Sequence, residues 1–244
     1  MRQVVLDGLD ELGLRHMRRA LERQIESTGI AELSFEDRLS ELIECERVER
    51  DDRRLKERIR KAGLSQRARL EELDGHAARG IDRSTLEFLK EERWLKEKRN
   101  LAITGPCGVG KTFLACAVAH RALEQGYNAR FFRLPRLLQD LQIARADGSY
   151  SNRLASLAKI DVLVLDDWGI APLQPAERRD LLEILDDRYE KRSTLVVAQM
   201  PMERWHDWVG DPALADAILD RLVHNAYRFT LKGESQRKKR GIQS

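Results

Sequence analysis

Over residues 1–75 the apolar positions recur at helical spacing and nowhere alternate as a strand would. In LDELGLRHMRRALERQIES, Leu9, Leu12, Leu14, Met17, Leu21 and Ile25 stand mostly three or four residues apart, the period of a helix with one apolar face. TGIAEL interrupts the pattern. Ser34 then offers a helix N-cap with Asp37 three residues on, and Leu39, Leu42, Ile43, Leu55 and Ile59 continue an apolar stripe until Gly63. SQRARLEEL reads as a further short helix. Residues 76–99 read as a linker, flanked and loosened by Gly75 and Gly80. Its second half is helical, with Leu86, Leu89 and Trp94 on one side. From Asn100 the period changes. Short apolar runs LAIT, ARFFR, DVLVLD and STLVVAQ alternate with helical stretches, the signature of a parallel sheet with crossover helices. The helix DPALADAILDRLVHNA and the strand YRFTL close the pattern. The expected organisation is a small all-helical N-terminal domain (1–75), a linker (76–99) and an α/β domain (100–244).

Composition changes this picture in one respect. The net charge of the 244 residues is only +3. Residues 47–70, however, carry ten Lys/Arg against four Asp/Glu, and residues 232–240 carry five against one. Basic charge so concentrated suits a polyanion such as nucleic acid; the bland alternatives are a solvated helix face and a frayed tail. No run of 18 apolar residues predicts a membrane span. The N-terminus lacks a secretory signal's apolar core, and three cysteines without metal-ligand spacing fit a reduced, cytoplasmic protein.

The sharpest chemistry lies in Gly105-Pro106-Cys107-Gly108-Val109-Gly110-Lys111-Thr112, followed by Phe113. It fits G-x-x-x-x-G-K-[ST] at every fixed position, between a strand and a helix. Glycines let the backbone turn its N–H groups inward onto phosphate oxygens. Lys111 is expected to reach the β- and γ-phosphates of ATP, and Thr112 to bind Mg²⁺. DVLVLDDWG supplies the second half: a buried strand ending in Asp166 and Asp167. Asp166 is expected to hold the Mg²⁺ shell. Asp167 is placed to orient or deprotonate an attacking water, which favours hydrolysis over transfer to a small molecule. Gln199, after the fourth apolar run, is a polar group for the same site or an ordinary strand cap. Arg221 stands among Ile218, Leu219, Leu222 and Val223. There it is either salt-bridged or presented to a neighbouring subunit as an arginine finger. Arg237, in the basic tail, is a candidate for the γ-phosphate of its own subunit's nucleotide. Arg53, Arg54, Arg58, Arg60 and Lys61 in the first basic segment are candidate DNA contacts. So are Arg136, Arg145, Tyr150 and Arg153, in a helical stretch longer than one crossover requires; packing is the alternative for the latter group.

The stretches GPCGVGKTFLACAVAHRALEQGY, RLPRLLQDL, VLVLDDWGIAPLQPAERRDLLEILDDRYEKRSTLVVAQMP and WVGDPALADAILDRLVHNAYRFTLKGESQRK together resemble the IstB-like ATPases. These are transposition helper proteins of bacterial insertion sequences. The likeness runs over almost the whole chain. It implies an AAA+ P-loop NTPase core of the initiator and helicase-loader clade, kin to DnaC and DnaA. It also implies ATP-dependent binding of double-stranded DNA, a homo-oligomer in ring or filament form, and action on a partner transposase at its target, in the bacterial nucleoid. By matching motif, Gln199 falls at the first sensor, Arg221 at the arginine finger and Arg237 at the second sensor. AAA+ proteins more often carry Glu where this chain has Asp167. A DnaC-like helicase loader is the alternative function on the same core, and a non-hydrolysing ATP-switched scaffold a third.

Overall fold

The computed structural model describes residues 1–27, 33–73 and 80–233. The chain divides into two units, Met1–Glu57 and Arg58–Ser244.

The first unit holds α1 (Arg2–Glu11), α2 (Arg15–Glu26) and most of α3 (Phe35–Ala62). The apolar run that reads as one helix is two, because Gly13 takes φ +70°. Its N–H donates to Asp10 O at 2.9 Å and that of Leu14 to Leu9 O at 2.8 Å, the pairing that closes a helix end on a left-handed residue. Leu12 consequently leaves the stripe and is exposed, as is Ile43, while Leu6, Leu9, Ala20 and Leu42 are buried. Leu14 supplies no side-chain cap for α2. Glu46 of α3 does so instead: its carboxylate accepts from the N–H groups of His16 (2.9 Å) and Met17 (3.0 Å) and from Arg50 Nε (2.7 Å). Burial pushes this carboxyl up. The bonds from Met17, Arg50 and His16 outweigh burial and hold it below its ordinary value. Ser34 caps α3 as expected, its hydroxyl oxygen accepting from Asp37 N at 3.1 Å.

In the second unit, α4 (Arg83–Lys90) and α5 (Arg93–Lys96) bury Leu86, Leu89, Trp94 and Leu95. There follow β1 (Asn100–Thr104), α6 (Lys111–Glu124), β2 (Ala129–Arg133), α7 (Leu134–Ala146), α8 (Tyr150–Ala158) and β3 (Val162–Trp168). α9 (Pro175–Arg188), β4 (Ser193–Ala198), α10 (Trp205–Val209), α11 (Pro212–Val223) and β5 (Ala226–Thr230) complete it. The five strands form one sheet in the order β2-β3-β4-β1-β5, parallel at every pairing.

Composition sorts the strands across the sheet. β1 and β4 are buried along their whole length, and β3 but for Asp167, as NLAIT, STLVVA and VLVLDDW. Strands covered on both faces read as continuous apolar runs. The edge strands ARFFR and AYRFT carry arginines and are only partly buried. Leu163, Leu165, Val196 and Ala198 pack into one core with Leu137, Leu141, Leu181, Ile184 and Ile218 of α7, α9 and α11. The alternate residues Val162, Val164, Leu195 and Val197 are equally buried and belong to the opposite face. Residues 147–149 separate α7 from α8, where an Asp-Gly-Ser run favours a turn.

One buried arginine was not anticipated. Arg188 ends α9 at 1% exposure and donates to Leu157 O and Ile160 O (both 2.7 Å), Ser193 O (2.5 Å) and Thr194 Oγ1 (3.1 Å). Burial, then Arg192, pushes its guanidinium down to about 9. It ties the end of α8 to the start of β4 through neutral oxygens alone.

Candidate functional site

Because the sheet is parallel, every strand delivers its C-terminal residue to one edge, where ligands of open α/β sheets bind. β1 there runs into the phosphate loop. Gly105, Gly108 and Gly110 take φ of +142°, +81° and +103°, conformations that only glycine adopts without strain. A Cβ on Gly105 would collide with the carbonyl oxygen of Leu231, whose N–H in turn donates to Thr104 O at 2.8 Å. The residue after β5 thus closes the back of the loop. α6 starts at Lys111 with Gly110 as N-cap and no acid in its first turn, so its positive end is left for an anion. Val109 is buried, Phe113 half-buried, and Pro106 and Cys107 are exposed.

Lys111 is the loop's cation. It is 7% exposed, and its Nζ donates to Pro106 O at 2.7 Å. Burial pushes the ammonium below its ordinary value; Cys107, Asp166 and Asp167 act the other way. At the end of β3, Asp166 is also buried. Its Oδ2 accepts from Thr112 Oγ1 at 2.9 Å, and its Oδ1 from the Asp167 N–H at 2.9 Å. Burial raises this carboxyl, against the Asp167 and Thr112 hydrogen bonds. The β3–β4 register shifts between Leu165 and Trp168, and Asp167 stands at φ +60°. Bulges and left-handed residues re-aim a side chain at a strand end, and here the carboxylate of Asp167 lies 3.7 Å from Arg133 Nε, at the tip of β2.

These oppositely perturbed groups test the fit of a metal–nucleotide. Burial lowers the Lys111 ammonium although Asp166 and Asp167 act to raise it, and burial raises the Asp166 carboxyl. Phosphates on the Lys111 side and a divalent ion on the Thr112–Asp166 side answer both. Among the described residues no cluster of three or more His, Cys, Asp or Glu could hold a metal ion by itself.

The remaining candidates fall in distinct places. Gln199 follows β4 at the same sheet edge and is exposed. Arg221 on α11 is half-buried. Its Nε donates to the Asp186 carboxylate on α9, and its Nη1 to Ala217 O at 3.0 Å. Arg237 lies outside the described residues. Arg145 and Tyr150 meet each other and α9: the guanidinium lies 3.6 Å over the Tyr150 ring. Both bond the Asp180 carboxylate, with Tyr150 Oη at 2.8 Å from it and 3.1 Å from Glu183. Arg136 and Arg153 are exposed on α7 and α8. Arg53 is exposed; Arg54 pairs with Asp51 at 3.4 Å. Arg58 donates to Leu123 O at 3.1 Å, and the carbonyl of Lys61 accepts from Arg130 at 2.5 Å. Arg60, exposed on α3, is also partnered. Arg133 and Leu231 escaped the sequence reading. Their only sequence signal was position at a strand's C-terminal end.

The fold has known counterparts. The crystal structure of DnaI superposes with a TM-score of 0.57 at 23% identity over 68% of this chain and 92% of that one. AMPPCP-bound DnaA from Aquifex aeolicus gives 0.56 at 20% identity over 74% and 54%. These likenesses establish the AAA+ fold. In sequence, an insertion sequence ATP-binding protein from Sinorhizobium fredii is 44% identical over 96% of this chain and 95% of its own length. One from Pseudomonas fluorescens is 46% identical over 82% and 87%, and one from Pseudomonas aeruginosa 32% over 95% and 87%. The model of the IstB-like ATP binding protein family matches residues 8–244, covering most of the helical first unit as well as the phosphate loop. With loop, carboxylates and helical extension all inside that match, the chain belongs to the IstB-like ATP binding proteins.

Proposed function

We propose that this protein is an ATP hydrolase that binds double-stranded DNA, assembles on it as a homo-oligomer through shared ATP sites, and assists a transposase in choosing its target. One observation carries the reading. At a single sheet edge, Thr112 Oγ1 and Asp166 Oδ2 meet at 2.9 Å beside a buried Lys111, with Asp167 next in the chain. Family membership supports the insertion-sequence context.

In this reading the loop N–H groups and the Lys111 ammonium hold the β- and γ-phosphates. Thr112 and Asp166 would hold Mg²⁺, which neutralises phosphate charge when bound. Asp167 accepts a proton from the attacking water as its oxygen bonds to the γ-phosphorus and the β–γ bridging bond breaks, leaving ADP and phosphate. Arg133 steadies Asp167, and Gln199 sits near the γ-phosphate. Arg221 contacts the nucleotide of the adjacent subunit, an effect worth about 10³–10⁵ in rate for such arginines, which makes hydrolysis depend on assembly. Arg237 would complete the γ-phosphate contacts from within the subunit. The basic residues of α3 and of the α7–α8 pair contact DNA phosphates.

Analytical sedimentation with ATP and duplex DNA tests this. Wild type is expected to form large complexes only when both are present, and Lys111→Ala to form none. A protein that stays monomeric with both overturns the proposal. A pulldown offering transposase and replicative helicase separates the transposition helper from a loader.

A further inference from the structure

Arg221 is anchored at two points, and both anchors lie on its own subunit. α11 packs on α9 through Ala215, Ile218 and Leu222 against Leu181, Ile184 and Leu185. At the margin of that contact Arg221 Nε donates to the Asp186 carboxylate and Nη1 to Ala217 O. The pair is accessible: 29% of the Arg221 side chain and 51% of that of Asp186 are exposed. A guanidinium carries five N–H donors in one plane. Fixing Nε from one side and Nη1 from another sets that plane and leaves the Nη2 edge for a further acceptor.

We infer that Asp186 is a positioning residue for Arg221: it holds the guanidinium on the α9–α11 face so that its Nη2 edge is already oriented toward the neighbouring subunit's γ-phosphate. The inference rests on reading Arg221 as acting on that neighbour. An arginine has several rotatable bonds and loses much freedom when it docks unaided; one already held by a carboxylate loses less and approaches in one orientation. In this inference Asp186 contacts Arg221 and not the nucleotide. Its effect passes through Arg221 alone.

The test uses full-length protein with duplex DNA and saturating ATP. Asp186→Ala is expected to lower kcat by about 10–100-fold, the range for a misplaced catalytic group. KM for ATP, affinity for a fluorescent ATP analogue and ATP-dependent sedimentation stay as in wild type. Asp186→Asn, which keeps an acceptor oxygen, falls less. Mixing subunits then separates the readings. Asp167→Asn subunits are expected to assemble without hydrolysing, and they carry an intact Asp186–Arg221 pair. Added to Asp186→Ala, they should restore turnover, because Asp186→Ala subunits keep a complete nucleotide site and now receive a well-held arginine. Arg221→Ala mixed with Asp167→Asn should recover likewise. If the Arg221→Ala mixture recovers and the Asp186→Ala mixture does not, Asp186 supports only its own subunit and the inference is wrong. If neither recovers, Arg221 does not act across subunits and both readings fall. Should Asp186→Ala fold poorly, the same mixing with Asp186→Asn decides the matter.

Discussion

At the scale of single residues, the site is held by contacts that tolerate little change. Gly105 combines φ +142° with a Leu231 carbonyl where a Cβ would stand. Gly105→Ala is therefore expected to destabilise the second unit by about 2 kcal/mol, read as a lower denaturation midpoint, and to abolish nucleotide binding. Thr112→Val keeps the shape of the side chain and removes the hydroxyl that meets Asp166. Its Mg²⁺-dependent nucleotide affinity is expected to drop about 10–100-fold, as for lost metal-site partners, with affinity in EDTA unchanged. A fluorescent-nucleotide titration with and without Mg²⁺ checks both halves. Lys111, Thr112 and Asp166 were legible in sequence because a phosphate loop and a strand ending in acids are local patterns. Arg133 was not. Its approach to Asp167 depends on β2 lying beside β3, a pairing with some thirty intervening residues that no window of sequence contains.

Among secondary-structure elements, two joints depend on a single charged side chain. Glu46 caps α2 from α3, and its carboxyl sits below the ordinary value of 4.5. A carboxyl depressed in the folded state contributes stability that is complete above the unfolded value and lost as pH falls through the folded one. The first unit is thus expected to lose helix in acid, below pH 4.5. Glu46→Gln should weaken the cap by about 1–2 kcal/mol at neutral pH and flatten that acid limb in a circular-dichroism titration. An acid limb unchanged by the substitution would exclude Glu46 as its source. Arg188 joins α8 to β4 through four oxygens. Arg188→Met strands those oxygens in the core and is expected to cost about 3 kcal/mol in chemical denaturation. Helix stripes and caps such as Ser34 could be read from sequence, since their partners lie within four residues. The break at Gly13 was hidden because leucines before and after it keep helical spacing.

For the whole molecule, the first basic segment promises less than its charge suggests. Arg47, Arg50, Arg54 and Lys56 each pair with an acid three or four residues away on α3, and Arg145 is drawn to Asp180. The pairs of Arg47, Arg54 and Lys56 are exposed and weak, so phosphates can displace them, whereas the buried Glu46 and Asp180 hold Arg50 and Arg145 more firmly. DNA affinity should still fall steeply with salt, and each true phosphate contact removed should lower the slope of log K against log salt by about 1. Comparing Arg53→Ala and Arg153→Ala with wild type locates the track. If neither slope changes, DNA binds elsewhere. No helix among the described residues is long and apolar enough to cross a membrane.

The sequence by itself determined the parallel α/β core, its helical extension and the phosphate loop with its neighbouring acids, because apolar period, loop glycines and strand-end acids are short-range patterns imposed by backbone geometry. Tertiary structure decided the strand order, the Leu231 backing of the loop, the turn of Asp167 toward Arg133 and the Asp186 hold on Arg221. Each of these needs two elements distant in the chain to be packed side by side. Only folding brings their charges and carbonyls within bonding distance.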